Sequence, residues 1–444
     1  MDGPHIDLSP MSDRMPKEDI DRVQRRLNQI WEIGKTDSSG VTRLAYTSEE
    51  NVVFDYLRDE LPREFDVWTD SVGNLFATPW PEAENSLYIG SHLDSVINGG
   101  RLDGVLGVIT ALEAIQTLHE SSCQPPNPPT LAVFRGEESA RFGQHTIGSR
   151  TALGMLTVED FSATDQNDVP LWHAMQQAGF HPENLSEPTI DLDRVTGFLE
   201  VHIEQGRVLD ESDDDLGVVT NIRAPVRYKI TVEGAYDHSG ATPMNLRHDA
   251  LAGASAIILA IQRVGKEADN EGDLVATVGD ITAVDGAINK VCGEVSFPLD
   301  IRSVNEAFRD QIESRILEEI RMTADQHNLQ FEVQEIDRSS PVTMSEEIAS
   351  QLAHAADSSE SGYRFLPSGG GHDTMNFQQA GVPAGLLFVP SVDGVSHSPD
   401  EETYDDAVAA AVQTLIRFTL SEIEIANKKF TENKIEGNGG DHAF

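Results

Sequence analysis

Cysteine is scarce in this chain of 444 residues, and so are lysine and long hydrophobic runs. The two cysteines, Cys123 and Cys292, lie far apart, which excludes a disulfide framework and a paired-cysteine zinc site. No run of about 18 or more apolar residues occurs, so no transmembrane helix is expected. Residues 1–17 are polar and lack the apolar core of a signal peptide. These absences favour a cytoplasmic protein.

Positive charge is also in short supply. The formal net charge is −43, from 75 acidic and 32 basic residues, and arginine outnumbers lysine. Such a surface repels nucleic acids and anionic membranes, so neither is an expected partner. An excess of this size is typical of proteins dissolved in very high salt, where screening over about 3 Å at 1 M weakens repulsion between carboxylates. The charge therefore predicts a halophilic source, most simply a halophilic archaeon.

The order of helical and strand patterns predicts two domains. Strand, helix and strand patterns in the first half of the chain favour an α/β domain with a mostly parallel sheet covered by helices. Alternating strands and two helices in the middle of the chain favour an inserted α+β unit. We expect a polar extension at 1–18, a first domain from 19–215 and 334–426, an insert at 216–333 and a disordered tail at 427–444.

The richest chemistry lies between 90 and 104, where Gly-Ser-His-Leu-Asp is followed by Gly-Gly-Arg-Leu-Asp-Gly. A short apolar strand precedes His92 and an apolar helix follows Asp103. These side chains therefore lie at a strand's carboxyl end, where open α/β sheets bind ligands. An imidazole with carboxylates suits a divalent metal such as zinc. For this stretch alone, a solvated loop with chance polar residues is the alternative.

Four further segments place reactive groups after apolar strands or in glycine-rich turns. They contain Glu137 and Glu138, His202 with Glu204, His372, and His397. A single histidine or a Glu pair is more often structural than functional, but five such segments together indicate one site.

The residue types in these segments suit two metal ions. Asp103 is placed to bridge them. His92 and one distant histidine would complete one metal, and Glu138 with another histidine the other. Two such ions would acidify a shared water, and Glu137 is placed to take its proton.

Several motifs together resemble the M20 metallopeptidase superfamily. The fit is closest to its hydantoinase/carbamoylase amidase branch, which contains N-carbamoyl-L-amino-acid hydrolases, β-ureidopropionases and allantoate amidohydrolases. The resemblance spans about 19–426 and rests on the residues at 92–94, 103, 137–138, 202–206, 237–244, 286–289, 300–303 and 397–399.

The resemblance implies a fold and a set of roles. The fold would be a binuclear-metal aminopeptidase-like catalytic α/β domain with an inserted α+β lid and dimerisation domain. One metal would be held by His92 and His202, the other by Glu138 and His397, with Asp103 bridging. The ions would be two divalent cations, Zn²⁺ first, with Mn²⁺, Co²⁺ or Ni²⁺ open. The remaining roles would be Glu137 as general base and Asp94 orienting His92.

The resemblance also implies a substrate site. Gln205 and His372 would contact the substrate, and His238 would stabilise the oxyanion. Asn289 and Arg302 would hold a substrate carboxylate, a task that suits the arginine fork.

The expected function is hydrolysis of a linear carbamoyl or ureido C–N bond in a small carboxylate substrate, by a homodimer paired through the lid. An aminoacylase or dipeptidase with the same metal core is the alternative. A metal-binding module without catalysis is the third hypothesis, and the presence of Glu137 argues against it.

The acidic composition leads to a prediction about salt. Because unscreened carboxylates repel one another, we expect the melting temperature to rise as KCl is increased from about 0.1 M to 3 M. Thermal unfolding followed by circular dichroism measures this, and a flat or falling curve contradicts a halophilic origin.

Overall fold

The structure is a computed structural model that describes residues 15–181 and 187–421. The expected tail at 427–444 and most of the expected extension at 1–18 lie outside the described residues. Within the described ranges, no helix combines the length and apolar character needed to cross a membrane.

The helices and strands are numbered in chain order. The α-helices are α1 Ile20–Trp31, α2 Ser48–Glu60, α3 Val105–Glu120, α4 Ile147–Ala152, α5 Val158–Phe161, α6 Leu171–Gln177, α7 Ala250–Asp269, α8 Glu306–Gln326, α9 Glu346–Ser358, α10 Asp373–Gln379 and α11 Asp405–Leu420. The strands are β1 Asp66–Thr69, β2 Leu75–Thr78, β3 Ser86–His92, β4 Pro129–Phe134, β5 Val195–Ile203, β6 Leu216–Ile222, β7 Ala224–Glu233, β8 Asp237–His238, β9 Val275–Thr277, β10 Thr282–Ala283, β11 Lys290–Val291, β12 Glu294–Ser303, β13 Gln330–Arg338, β14 Val342–Thr343, β15 Tyr363–Ser368 and β16 Ala384–Val389.

The larger sheet has the strand order β1-β2-β4-β3-β5-β16-β6-β14, and β15 also pairs with β6. Its four central strands, β4, β3, β5 and β16, are parallel. The flanking strands β2 and β6 run antiparallel to this centre. The expected α/β class with a parallel centre is confirmed, while the edges of the sheet are mixed.

The apolar sequences of the central strands and of helix α3 follow from their burial on both sides. β4, β5 and β16 are buried at every position, as expected for parallel strands covered on both faces. Helix α3 is apolar around most of its circumference because it packs against β3, β4 and β5 on one side and α1 and α11 on the other. Helix α3 therefore supports the strands whose carboxyl ends carry the polar motifs.

The smaller sheet has the order β10-β12-β7-β13, with β9 also paired to β12. Alternate residues of β7, including Val226, Ile230 and Val232, are buried in a core shared with helices α7 and α8. Intervening residues such as Arg227 lie on the opposite face, as the period of two requires.

The insert's boundaries differ from those expected. β6 (Leu216–Ile222) belongs to the larger sheet, and β13 continues to Arg338 in the smaller one. The inserted unit therefore runs from about 224 to 338 rather than from 216 to 333. The reason is that β6 has the apolar character of a sheet strand, and periodicity does not reveal which sheet a strand joins.

Candidate metal centre

The parallel strands bring the polar motifs together at one edge of the sheet. β3 ends at His92, β4 ends just before the turn that carries Glu138, and β5 carries His202 near its end. The loop after β16 carries His397. Because parallel strands share their carboxyl edge, segments far apart in the sequence meet there.

Two groups of potential ligand atoms lie at this edge, and Asp103 belongs to both. The first contains His92, Asp103 and His202, and the second contains Asp103, Glu138 and His397. Within each group the ligand atoms lie within 4.8 Å of one another. Asp103 Oδ1 is 3.1 Å from His202 Nε2 and 3.5 Å from His92 Nε2, while Oδ2 is 3.2 Å from His397 Nε2. The structure thus brings together all five expected ligands, with one Asp103 oxygen facing each group.

Hydrogen bonds determine which ring nitrogens carry protons. His202 Nδ1 lies 2.9 Å from the carbonyl oxygen of Ile203, which only accepts, so Nδ1 donates and Nε2 is the atom turned toward the site. His92 Nδ1 likewise faces acceptors of Asp94, the backbone oxygen at 3.3 Å and Oδ1 at 3.4 Å. Both Nε2 atoms therefore face the Asp103 carboxylate, and a cation bound there would be held by all three side chains.

Two buried polar atoms of this site have no hydrogen-bond partner among the described residues. They are His92 Nε2 and Glu138 Oε1, one from each group. Burial, together with the charge of Asp103, raises the pKa of Glu138 to about 8. Burial also opposes ionisation of Asp103, but the imidazoles around it, His202 first, hold its pKa well below its ordinary range. Mixed nitrogen and oxygen donors with such orphaned atoms fit two divalent cations of the zinc class.

Glu137 lies beside the two groups without belonging to either. Its Oε2 is 3.8 Å from His92 Nε2. Burial, with the charge of Glu138 added, raises the pKa of Glu137 well above its usual range. A buried carboxyl with a raised pKa at the edge of a metal centre suits a group that takes up and releases a proton.

Asp94 does more than the expected orientation of His92. Its two carboxylate oxygens accept the backbone N–H groups of Glu137 and Glu138, each at 3.0 Å. One side chain thus fixes the turn that presents both glutamates as well as facing the ring of His92.

Gln205 and His372 lie on the wall of a cavity of about 830 Å³ that also includes Asp103, Glu137, Glu138 and His397. Gln205 Nε2 donates to Asp103 Oδ2 at 2.7 Å. Its backbone has φ 60° and that of His397 has φ 54°, left-handed conformations that non-glycine residues adopt at a cost. The His372 ring packs edge-on against His202 with centroids 4.5 Å apart.

Of the insert residues expected to bind substrate, Arg302 lines this cavity. Its Nε and Nη2 pair with the two oxygens of Asp300, both at 2.9 Å, and Nη1 donates to the carbonyl oxygen of Gly369 at 2.6 Å. The guanidinium is therefore held between the insert and a loop of the larger domain.

His238 and Asn289 do not line the cavity. Both are exposed in or beside the two-stranded ribbon formed by β8 and β11. His238 Nδ1 accepts the backbone N–H groups of Gly240 and Ala241, each at 3.1 Å. Within one chain, the structure does not bring these two expected residues to the site.

Sequence reasoning missed Glu401. In the run Asp400-Glu401-Glu402 it reads as part of a solvated acidic segment, yet it is fully buried next to Asp103. Burial, with the charge of Asp103, raises its pKa to about 7. The sequence signal that could have indicated its place in the site is its position four residues after His397.

Comparison with known proteins identifies the family to which this geometry belongs. Residues 88–421, more than half of the chain, match peptidase family M20/M25/M40. The chain belongs to this family. The resemblance inferred from the motifs is thereby confirmed.

Similar proteins carry names that concern carbamoyl compounds and allantoate. The N-carbamoyl-L-amino acid amidohydrolase of Geobacillus stearothermophilus is 37% identical over 404 residues, covering 89% of this chain and 96% of the relative. The allantoate amidohydrolase of Bacillus subtilis is 33% identical over 387 residues, covering 86% and 92%. The solved structure of a hydantoinase/carbamoylase family amidase from Burkholderia multivorans superposes with a TM-score of 0.83 at 29% identity, covering 91% of this chain and 98% of that one.

Gly104 provides a test of how tightly this M20 site is built. Its φ is +66°, its N–H donates to His202 Nε2 at 3.2 Å, and a Cβ there would lie 2.4 Å from the His92 ring. We expect Gly104→Ala to lower the melting temperature and weaken metal binding, because it adds a clash to a backbone strain of about 1–2 kcal/mol. Thermal unfolding and metal titration measure both effects.

Gly143→Ala is the matched control for Gly104→Ala. Gly143 also has φ +66°, but a Cβ there meets nothing within 4 Å. If the two variants behave alike, crowding against His92 is not what requires glycine at position 104.

Proposed function

We propose that this chain is a metal-dependent amidohydrolase that cleaves a linear carbamoyl or ureido C–N bond in a small carboxylate substrate. The observation that carries the proposal is a buried carboxyl, Glu137, beside two ligand groups joined by Asp103 in one cavity that Arg302 also lines. The names of the similar carbamoyl and allantoate amidohydrolases support this bond and substrate class.

The metal ligands follow from the two groups. His92, Asp103 and His202 would hold one divalent cation, and Asp103, Glu138 and His397 the second. Zn²⁺ is the expected ion because nitrogen and oxygen donors suit it, with Mn²⁺, Co²⁺ and Ni²⁺ as competitors. Bound there, the ions would supply Lewis acidity and a water that loses its proton near neutral pH.

The remaining steps belong to the chain's own side chains. Glu137 takes one proton from the attacking water and delivers it to the leaving nitrogen as the C–N bond breaks. The products are the amine, ammonia and carbon dioxide, the latter two from decomposition of the released carbamate. Arg302 binds the substrate carboxylate through the N–H groups of Nη1 and Nη2 that Asp300 and Gly369 leave free. Burial, with the charge of His202, holds the pKa of His372 well below its ordinary value, so this ring stays neutral toward the substrate.

The first test combines a substrate panel with Glu137→Gln. We expect ammonia release from N-carbamoyl-L-amino acids, allantoate or ureidoglycolate, and no amino-acid release from dipeptides or N-acyl amino acids. Glu137→Gln should keep its fold and metal content while losing on the order of 10²–10⁴-fold in turnover, because proton transfer alone is removed. Ammonia assays and elemental analysis measure these outcomes.

Glu64→Gln, the same change at an exposed position, is the control and should leave turnover unchanged. Dipeptide or acyl hydrolysis would support the aminoacylase alternative. Full metal occupancy without turnover on any substrate would support the non-catalytic alternative, and near-normal turnover of Glu137→Gln would remove Glu137 from the role of base.

We also propose that the enzyme is a homodimer in which the insert of one chain completes the site of the other. The segments next to the ribbon of β8 and β11 expose apolar side chains, among them Met244 at 77% and Ile288 at 102%. Helix α7 exposes Leu259 at 66% on the face turned away from the insert's core. A second copy of this chain would cover these residues and receive His238 and Asn289 beside its bound substrate.

Mixed dimers test this arrangement. We expect chains carrying Glu137→Gln and chains carrying His238→Ala to be inactive alone, and to regain activity when refolded together. The physical reason is that one of the two sites in a mixed dimer receives an intact Glu137 and an intact partner histidine. Sedimentation at the working salt concentration measures the dimer, and ammonia release measures recovery.

The control for the mixed dimer is a hybrid of two differently tagged Glu137→Gln chains, which should stay inactive. Purified mixed dimers without activity would place His238 in its own chain's site. Sedimentation as a monomer would remove the dimer from the proposal.

A further inference from the structure

The Glu401 side chain accepts hydrogen bonds from the backbone segment that carries Asp103. Its Oε1 accepts the N–H groups of Leu102, at 2.8 Å, and of Asp103, at 3.0 Å. The side chain is 0% exposed. The chain makes room for it with Gly100, where a Cβ would lie 2.2 Å from Glu401 Oε1. A buried carboxylate with two backbone donors is a strong, directional anchor.

The other oxygen of Glu401 faces the loop that carries His397. The Ser396 hydroxyl lies 3.3 Å from Glu401 Oε2 and 3.5 Å from Asp103 Oδ2. Glu401 is itself tied to this loop, because its N–H donates to the carbonyl oxygen of Ser398 at 3.1 Å. One carboxylate thus fastens the Asp103 loop to the His397 loop.

We infer that Glu401 is a positioning residue that holds Asp103 with one carboxylate oxygen toward each ligand group. Because the two Asp103 oxygens face different ligand groups, the orientation of this one residue determines its distances to both. Partners that orient metal ligands contribute strongly to metal affinity. This inference rests on the metal centre proposed above, and concerns a residue that does not itself face either ligand group.

The test compares Glu401→Gln with Glu402→Gln. Gln keeps the size of Glu401 but removes its charge, which weakens both backbone hydrogen bonds. Glu402 is the matched control because it is the adjacent carboxylate, half-exposed and paired with Arg101 at the surface. Metal-stripped proteins are titrated calorimetrically with Zn²⁺ and Co²⁺, and the visible spectrum of the Co²⁺ forms is recorded.

We expect Glu401→Gln to bind metal about 10–100-fold more weakly than the wild type and to change the Co²⁺ absorption bands, with Glu402→Gln unchanged in both. A purely structural role for Glu401 would lower the melting temperature of the metal-free protein and leave the affinity and spectrum of the folded variant as they are. Equal affinity in folded Glu401→Gln and wild type overturns the inference.

Two further outcomes are informative. A wild type that binds neither ion overturns the metal centre itself, which is a different failure from equal binding by both proteins. If Glu401→Gln does not fold, Glu401→Asp decides, since it keeps the charge but withdraws the carboxylate from the N–H groups of Leu102 and Asp103. It should weaken metal binding several-fold, and unchanged affinity in that variant overturns the inference.

Discussion

Repulsion among buried carboxylates is the constraint on which this site depends. Asp94, Asp103, Glu137 and Glu138 are all buried at one edge of the larger sheet. Uncompensated charges in such a place are costly, so each needs a donor or a cation. The backbone N–H groups of the Glu137–Glu138 turn satisfy Asp94, and Gln205 with the surrounding imidazoles serves Asp103. Glu138 Oε1 and His92 Nε2 remain without a partner among the described residues, and bound cations are the compensation that fits both.

The architecture behind these charges is stiff, which is what a site with several ligands on different segments requires. Four parallel strands end at the same edge, and the apolar helix α3 supports them from behind. Crowding and strain near the site fall on backbone positions rather than on long side chains. The backbone of Gly104 packs so closely against the His92 ring that a Cβ there would clash with it. Gln205 and His397 have left-handed backbone conformations at the same site. Strain of this kind persists where the surrounding packing determines it fully.

The insert contributes to the site through two different routes. Arg302 reaches the cavity of its own chain, where Asp300 and the carbonyl of Gly369 fix its guanidinium. His238 and Asn289 stay exposed on a ribbon with uncovered apolar neighbours. A single chain thus has the metal-type groups and Arg302 around one cavity, while His238 and Asn289 lie away from it.

The sequence by itself determined the α/β class, the family and the identity of the five ligand-type residues, because strand periodicity and short motifs are local properties. Tertiary structure decided what depends on distant neighbours. β6 has an ordinary apolar pattern, and only its pairing with β15 and β16 places it in the larger sheet rather than in the insert. Glu401 stands in an acidic run that reads as solvated, and only the approach of the Asp103 loop buries it. Spacing along the chain left open which histidine joins which ligand group. The family resemblance implied the division, and the distances of the rings from the two Asp103 oxygens agree with it.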